Sequence, residues 1–246
     1  ILASMVYGEI KFRSKKYKAR VYFWSLPRNG KRSITLGRIA ESGSNAYFEL
    51  DKFSRHTLMA GSTGSGKTVA AQVIIEEALL KGISVVVFDP TAQWTGFLQK
   101  CTEKLMLDHY GEFGMSQNSA KAFNGNIRQI THPREIIDMK KLMKLGEINI
   151  IALNKLEPED TDIVVANTIR EIFHANLPES KELKYMMVYD EVHRLLPKFG
   201  GSGQGFVQIE RACREFRKWG VGLMLISQVL GDFKGEVKAN INTEIQ

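Results

Sequence analysis

Eight consecutive residues, Gly61-Ser62-Thr63-Gly64-Ser65-Gly66-Lys67-Thr68, carry the spacing G-x-x-x-x-G-K-T. Glycines let a backbone bend until successive N–H groups converge on one anion. A helix that follows such a turn adds its unpaired N-terminal amides and the positive end of its dipole. In that setting Lys67 would reach the β- and γ-phosphates of a bound triphosphate, and the Thr68 hydroxyl would ligate Mg²⁺. The flanking sequence supplies the context. "HTLMA" is a short apolar strand before the turn, and Thr68 to Leu80 has helical spacing after it. That context separates a phosphate cradle from a chance glycine turn.

A cradle of this kind needs carboxylates, one for the metal and one for the attacking water. "YMMVYDEVHRLL" offers both at the tip of an apolar strand. Asp190 would hold Mg²⁺, directly or through water, and Glu191 would polarise the water that attacks the γ-phosphate. An adjacent glutamate points to hydrolysis of ATP rather than phosphoryl transfer to a metabolite. "VGLMLISQVL" ends a further apolar strand on Ser227 and Gln228, and Gln228 is suited to sense the γ-phosphate or the lytic water. "INIIALN" lies between the two motifs in sequence. This fits the P-loop ATPases whose sheet inserts a strand between the P-loop strand and the metal-carboxylate strand.

The elements that must position these residues follow an α/β grammar from about Asp51 onward. "ISVVVFD", "INIIALN", "YMMVYDE" and "VGLMLIS" are continuous apolar runs, separated by helical stretches at Asp160 to Phe173 and Gly205 to Trp219. Such runs flanked by helices imply a parallel sheet covered on both faces, a RecA-like P-loop ATPase domain over residues 51–246. A short strand is expected near Ile127 to Ile130 within a less regular segment. Residues 1–50 read differently. "MVYGEIKF", "YKARVYFWSL" and "SITLGRI" are β-branched and aromatic, broken by "PRNGKR" and "ESGSN". They predict a small β-rich, barrel-like N-terminal region, incomplete at its start.

Composition sets the outer bounds. A chain of 246 residues that is 43% hydrophobic and 25% charged suits one large domain, or one domain with an appendage. No window approaches the roughly eighteen apolar residues of a membrane span, and "ILASMVYGEI" has no signal-peptide pattern. The start on Ile and the ending "NINTEIQ" read as a piece of something longer. Two cysteines, Cys101 and Cys213, without metal-ligand spacing suggest a reducing, cytoplasmic setting. A net charge of +7 favours a polyanionic partner, nucleic acid above all.

With these pieces in order, the chain resembles the HerA/FtsK-type ATPases, nearer the HerA branch. The motifs that carry the likeness are "RHTLMAGSTGSGKT", "VVFDPTAQW", "VYDEVHRLLP" and "CREFRKWGVGLMLISQ". The resemblance implies an ATP-driven double-stranded DNA translocase or helicase, built as a homo-hexameric ring and working with a nuclease in DNA-end processing. It implies that each ATP sits between subunits and is approached by an arginine from the neighbour. Arg55 and Arg217 match the family positions for a trans finger and an arginine sensor, in either order, while Arg214 reads as a surface residue. Gln93 departs from the glutamate common at its position, and Asp89 is retained at the strand end.

DNA contacts would come from flexible basic segments that grip the phosphate backbone. Lys198 in "PKFGGSGQGF" is one candidate. Lys140 and Lys141 in "THPREIIDMKKLMK" are another, and a plain surface linker is the alternative for the glycine loop. The competing function is a motor ATPase of a conjugation, secretion or virus-packaging machine, for which the same site residues would serve.

Overall fold

In the chain's computed structural model, residues 22–40, 42–196, 203–228 and 235–246 are described. Seven strands form one sheet: β3 (Thr57–Ala60), β4 (Ser84–Asp89), β5 (Gly125–Gln129), β6 (Ile148–Ala152), β7 (Ser180–Tyr189), β8 (Trp219–Ser227) and β9 (Thr243–Ile245). Their spatial order is β5-β6-β4-β7-β8-β3-β9, and every neighbouring pair runs parallel. The parallel α/β expectation is therefore met. The inserted strand needs a correction. β8, not "INIIALN", lies between the P-loop strand β3 and the carboxylate strand β7, while "INIIALN" forms β6 on the far side of β4.

Both faces of the sheet are covered, which explains why its strands are continuously apolar rather than alternating. Val85 and Val87 of β4 point to one side and pack with Ala71, Ile75 and Ala78 of α1 (Lys67–Leu80). Val86 and Phe88 point to the other side, against Val165 and Ile169 of α2 (Pro158–His174) and Ile209 of α3 (Gln204–Glu215). Burying one such side chain contributes about 1.5–3 kcal/mol, so alternate residues of β4 hold opposite helix layers to the sheet. α2 begins as its sequence allows, with Pro158 in the first turn followed by Glu159 and Asp160.

Helical spacing from Gly205 to Trp219 overestimates α3. The helix ends at Glu215, a 3-10 turn covers Phe216–Lys218, and Trp219 already begins β8. Gly220 sits there at φ +66°, and a Cβ on it would run into the carbonyl oxygen of Glu182. The first residues of β8 therefore run so close to β7 that position 220 has no room for a side chain.

At the N-terminal side, β1 (Ser33–Arg38) and β2 (Asn45–Glu49) form an antiparallel hairpin. Ile34 joins the same core as α1, so the hairpin is packed on the sheet domain. Arg32 and the backbone of Leu183 on β7 share Asp51, with the Leu183 N–H donating at 2.8 Å. The expected strand "YKARVYFWSL" falls partly outside the described residues, and its Phe23–Ser25 portion is a 3-10 turn. Pro27, just beyond it, has no N–H to donate to a strand ladder. The strand expected at "MVYGEIKF" lies wholly outside the described residues.

His56 fixes the entrance to β3. It is buried, with φ +63°, and both ring nitrogens are used. The Leu223 N–H donates to Nδ1 at 3.0 Å, so Nε2 carries the proton and donates to the Cys213 carbonyl at 3.0 Å. This neutral ring ties β3 to β8 and to the end of α3. Burial pushes its pKa down to about 4 from 6.5, helped by the nearby positive charge of Arg217. The folded value is depressed, so the stabilisation is complete above the unfolded value and disappears as pH falls from about 6.5 through about 4. Urea unfolding across that window should show roughly 3 kcal/mol of stability lost to this group. His56→Gln should flatten that slope, and an unchanged slope would remove His56 as its origin.

Candidate active site

Parallel strands place all their C-terminal ends along one edge, and the order β7-β8-β3 brings three motif-bearing tips side by side. Ala60 and Ser227 are register partners, as are Tyr189 and Leu225. The phosphate loop, Gln228 and the Asp190–Glu191 pair thus leave the sheet next to one another. Gly61 N–H donates to the Ser227 carbonyl at 3.3 Å, continuing the β3–β8 ladder into the loop. Gly66 then turns into α1 at φ +86°, a conformation open to glycine but costly for most L-residues.

Four polar side chains link up across this edge. Lys67 Nζ lies 3.1 Å from Glu191 Oε1, and both side chains are largely shielded from solvent, at 8% and 13% exposure. Gln228 Nε2 donates to Glu191 Oε2 at 3.3 Å, and the Thr63 hydroxyl donates to Gln228 Oε1 at 3.4 Å. His193 Nδ1 approaches the same Glu191 oxygen at 3.4 Å but is not aligned for a hydrogen bond. Glu191 itself has φ +46°, ψ 57°. A glutamate in the left-handed region costs of order 1 kcal/mol and persists only where its surroundings hold it.

Asp190 is fully buried beside this group. Trp94 Nε1–H donates to Oδ2 at 2.9 Å, and the Glu191 N–H donates to Oδ1 at 2.9 Å. Burial raises its pKa above the usual carboxylate value. The Trp94 hydrogen bond opposes that rise, and the negative charges of Glu191 and Asp89 add to it. Each carboxylate oxygen keeps a second acceptor position. A divalent cation nearby would favour the anion that burial disfavours.

Among the described residues, no group of three His, Cys, Asp or Glu side chains could cage a metal. Thr68, in the first turn of α1, and Asp190 offer a hydroxyl and a carboxylate of the kind that would hold a Mg²⁺ keeping several waters. Asp89 serves a different purpose. Its oxygens accept from the Thr91 and Trp94 backbone N–H groups at 2.9 and 3.0 Å, shaping the loop that delivers the indole. Gln93 is exposed, and its carbonyl accepts from Gln72 Nε2 at 3.3 Å.

Other expected residues lie elsewhere. Arg55 and Arg217 come together, but at the opposite edge of the sheet, where β3 and β8 begin. There they line one open cleft of about 1360 Å³ with Arg214. Nine β8 residues separate Arg217 from Gln228, about 30 Å at strand rise, so Arg217 cannot reach the phosphate loop of its own chain, and Arg55 lies at the far end of β3 from it. Lys140 and Lys141 are exposed on a single helical turn, Met139–Leu142, with Lys141 3.3 Å from Asp138. Lys198 lies outside the described residues. Sequence reasoning missed the Trp94 bond to Asp190 and the Thr63 bond to Gln228. An indole placed five residues after a strand-end aspartate was the available signal for the first. Nothing in the spacing announces the second.

Residues 34–139 match the family described as the central domain of helicase HerA. The DNA double-strand break repair helicase HerA of Sulfolobus acidocaldarius is 33% identical over 97 residues, covering 37% of this chain and 19% of that protein. A probable helicase of Methanocaldococcus jannaschii is 29% identical over 112 residues, 42% of this chain and 21% of its own length. The chain thus spans about one fifth of the curated relatives it matches. VirB4 of Thermoanaerobacter pseudethanolicus shares the fold, with a TM-score of 0.51 at 13% identity over 87% of this chain and 82% of that one. The resemblance drawn from the motifs is borne out.

Trp94→Phe keeps an aromatic ring against Phe97, its stacking partner at 5.7 Å, and deletes only the indole donor. Asp190 should become harder to ionise. The Mg²⁺ concentration for half-maximal ATP turnover should rise about 10-fold or more, as for other lost outer-shell partners. An unchanged Mg²⁺ dependence would show that the indole does not tune this carboxylate.

Proposed function

We propose that this P-loop ATPase of the HerA/FtsK type is the motor of an ATP-driven double-stranded DNA translocase. In this reading it forms a homo-hexameric ring, hydrolyses ATP at subunit interfaces, and works in DNA-end processing in the cytoplasm beside a nuclease. The division into an N-terminal region, residues 1–50, and a motor, residues 51–246, belongs to the same proposal. The observation that carries it is the convergence of Lys67, Glu191 and Gln228 on the phosphate loop, while Arg55 and Arg217 gather at the other edge.

The backbone amides of Gly61 to Thr68 would hold the triphosphate. Bound Mg²⁺ would neutralise charge on the β- and γ-phosphates, with Thr68 and Asp190 on its ligand side. Lys67 can serve only one anion at full strength. A γ-phosphate in the loop would draw it from Glu191 and leave that carboxylate free to accept a proton from the attacking water. Gln228, held between Thr63 and Glu191, would orient that water. Arg55 and Arg217, too far from their own loop, would act on the ATP of the next subunit. Such a finger is worth about 10³–10⁵ in rate.

DNA would be gripped through its phosphates, with Lys140, Lys141 and Lys198 as candidates, so binding should weaken steeply with salt.

ATP turnover measured with and without duplex DNA at matched salt should rise strongly with DNA. Indifference to DNA would favour the conjugation, secretion or packaging motor instead. Lys67→Ala and Glu191→Gln should each abolish turnover, and full activity in either would refute the site. Rings mixed from Arg55→Ala and Glu191→Gln subunits should recover part of the activity that each homogeneous ring lacks. No recovery would remove Arg55 from the shared site.

A further inference from the structure

A second cavity, of about 350 Å³, lies along the outer flank of α1, between that helix and the segment from Gln93 to Phe123. Its wall is apolar and polarisable: Phe97, Phe113 and Phe123 with Met106 and Met115, over Val73 of the helix. Such linings suit aromatic or alkyl groups. Two carboxyls line it, Glu103 at the exposed rim and Glu76 on the helix, while Glu77 is turned to the hairpin and accepts the Thr35 N–H at 2.8 Å. Glu76 is half-buried and accepts no hydrogen bond from the described residues.

An acid so placed lacks compensation. Burial pushes the Glu76 pKa up to about 7, the charge of Glu77 adds to the rise, and Lys121 pulls weakly the other way. Lys121 is exposed and rests over the Phe123 ring, its ammonium 4.9 Å from the centroid. The chain's own cation therefore shows that this aromatic face accepts an ammonium, yet Lys121 does not neutralise the acid behind it. The phosphate loop uses none of these groups.

We propose that this cavity binds a small organic ammonium, an alkyl- or arylalkyl-amine whose hydrocarbon part fills the Phe97–Met106–Met115–Phe123 wall and whose charge pairs with Glu76. A ligand of this class meets both requirements of the cavity at once, and a purely apolar or anionic one meets at most one. The site is not isolated from the motor. Phe97 stacks on Trp94, and Trp94 holds Asp190, so an occupant would touch a ring one residue removed from the metal-side carboxylate.

The test is calorimetric titration of the full chain with 2-phenylethylamine, without nucleotide, so the outcome does not depend on ATP turnover or DNA. Saturable binding is expected, about tenfold tighter near pH 8 than near pH 6, because Glu76 gives up its proton through about pH 7. The neutral analogue 2-phenylethanol should bind at least about tenfold more weakly at the higher pH and show no pH dependence. Glu76→Gln should lose the preference for the amine. Absence of saturable amine binding overturns the proposal, as does equal binding of the alcohol or an unchanged affinity in Glu76→Gln. The wild-type comparisons alone decide the matter if that variant does not fold.

Discussion

The contact between Lys67 and Glu191 is the interaction on which the site depends. A buried ammonium and a buried carboxylate 3.1 Å apart would each be costly alone, so each makes the other's position tolerable. They come from elements far apart in sequence, the start of α1 and the loop after β7. They meet only because β8 fills the space between β3 and β7 and leaves one strand's width across the mouth of the loop. Gln228, at the end of that intervening strand, bonds the same carboxylate. The pair is thus a direct product of strand order.

The two edges of the sheet carry different chemistry. The C-terminal edge has phosphate-directed amides, one lysine and two carboxylates. The N-terminal edge has Arg55, Arg214 and Arg217 in an open cleft that also holds Glu49, Asp51, Glu179, Glu215 and Glu244. A strand's length separates them, too far for one chain to close on itself. A head-to-tail arrangement of copies would bring the unlike edges together, which is the geometry of a ring when the rotation closes. His56 braces the N-terminal edge, a neutral ring bonded to β8 and to the end of α3 beside the arginines.

Much of this was legible in the sequence, for identifiable reasons. The glycine spacing from Gly61 to Gly66 has few uses, and apolar runs such as "SVVVFD" are buried on both sides, so periodicity could not mislead. The start of β8 was misjudged because what requires Gly220 there, the Glu182 carbonyl, lies on another strand. Strand order was misjudged likewise: adjacency in sequence suggested β6 as the inserted strand, whereas β8 arrives later in the chain. The Trp94 hydrogen bond joins residues 96 apart in sequence, and the Thr63 bond joins residues 165 apart. Partners so far apart cannot be paired from sequence alone, although Trp94 itself was marked by its place after Asp89.

The left-handed backbone of Glu191 has a bearing on protein engineering. Glycine or asparagine would suit φ +46° better than glutamate, so any redesign ranked by thermal tolerance is drawn toward replacing it. Such a substitution would trade the carboxylate for a relaxed loop. Selection for robustness alone would therefore enrich chains that fold well and have lost the acid facing Lys67.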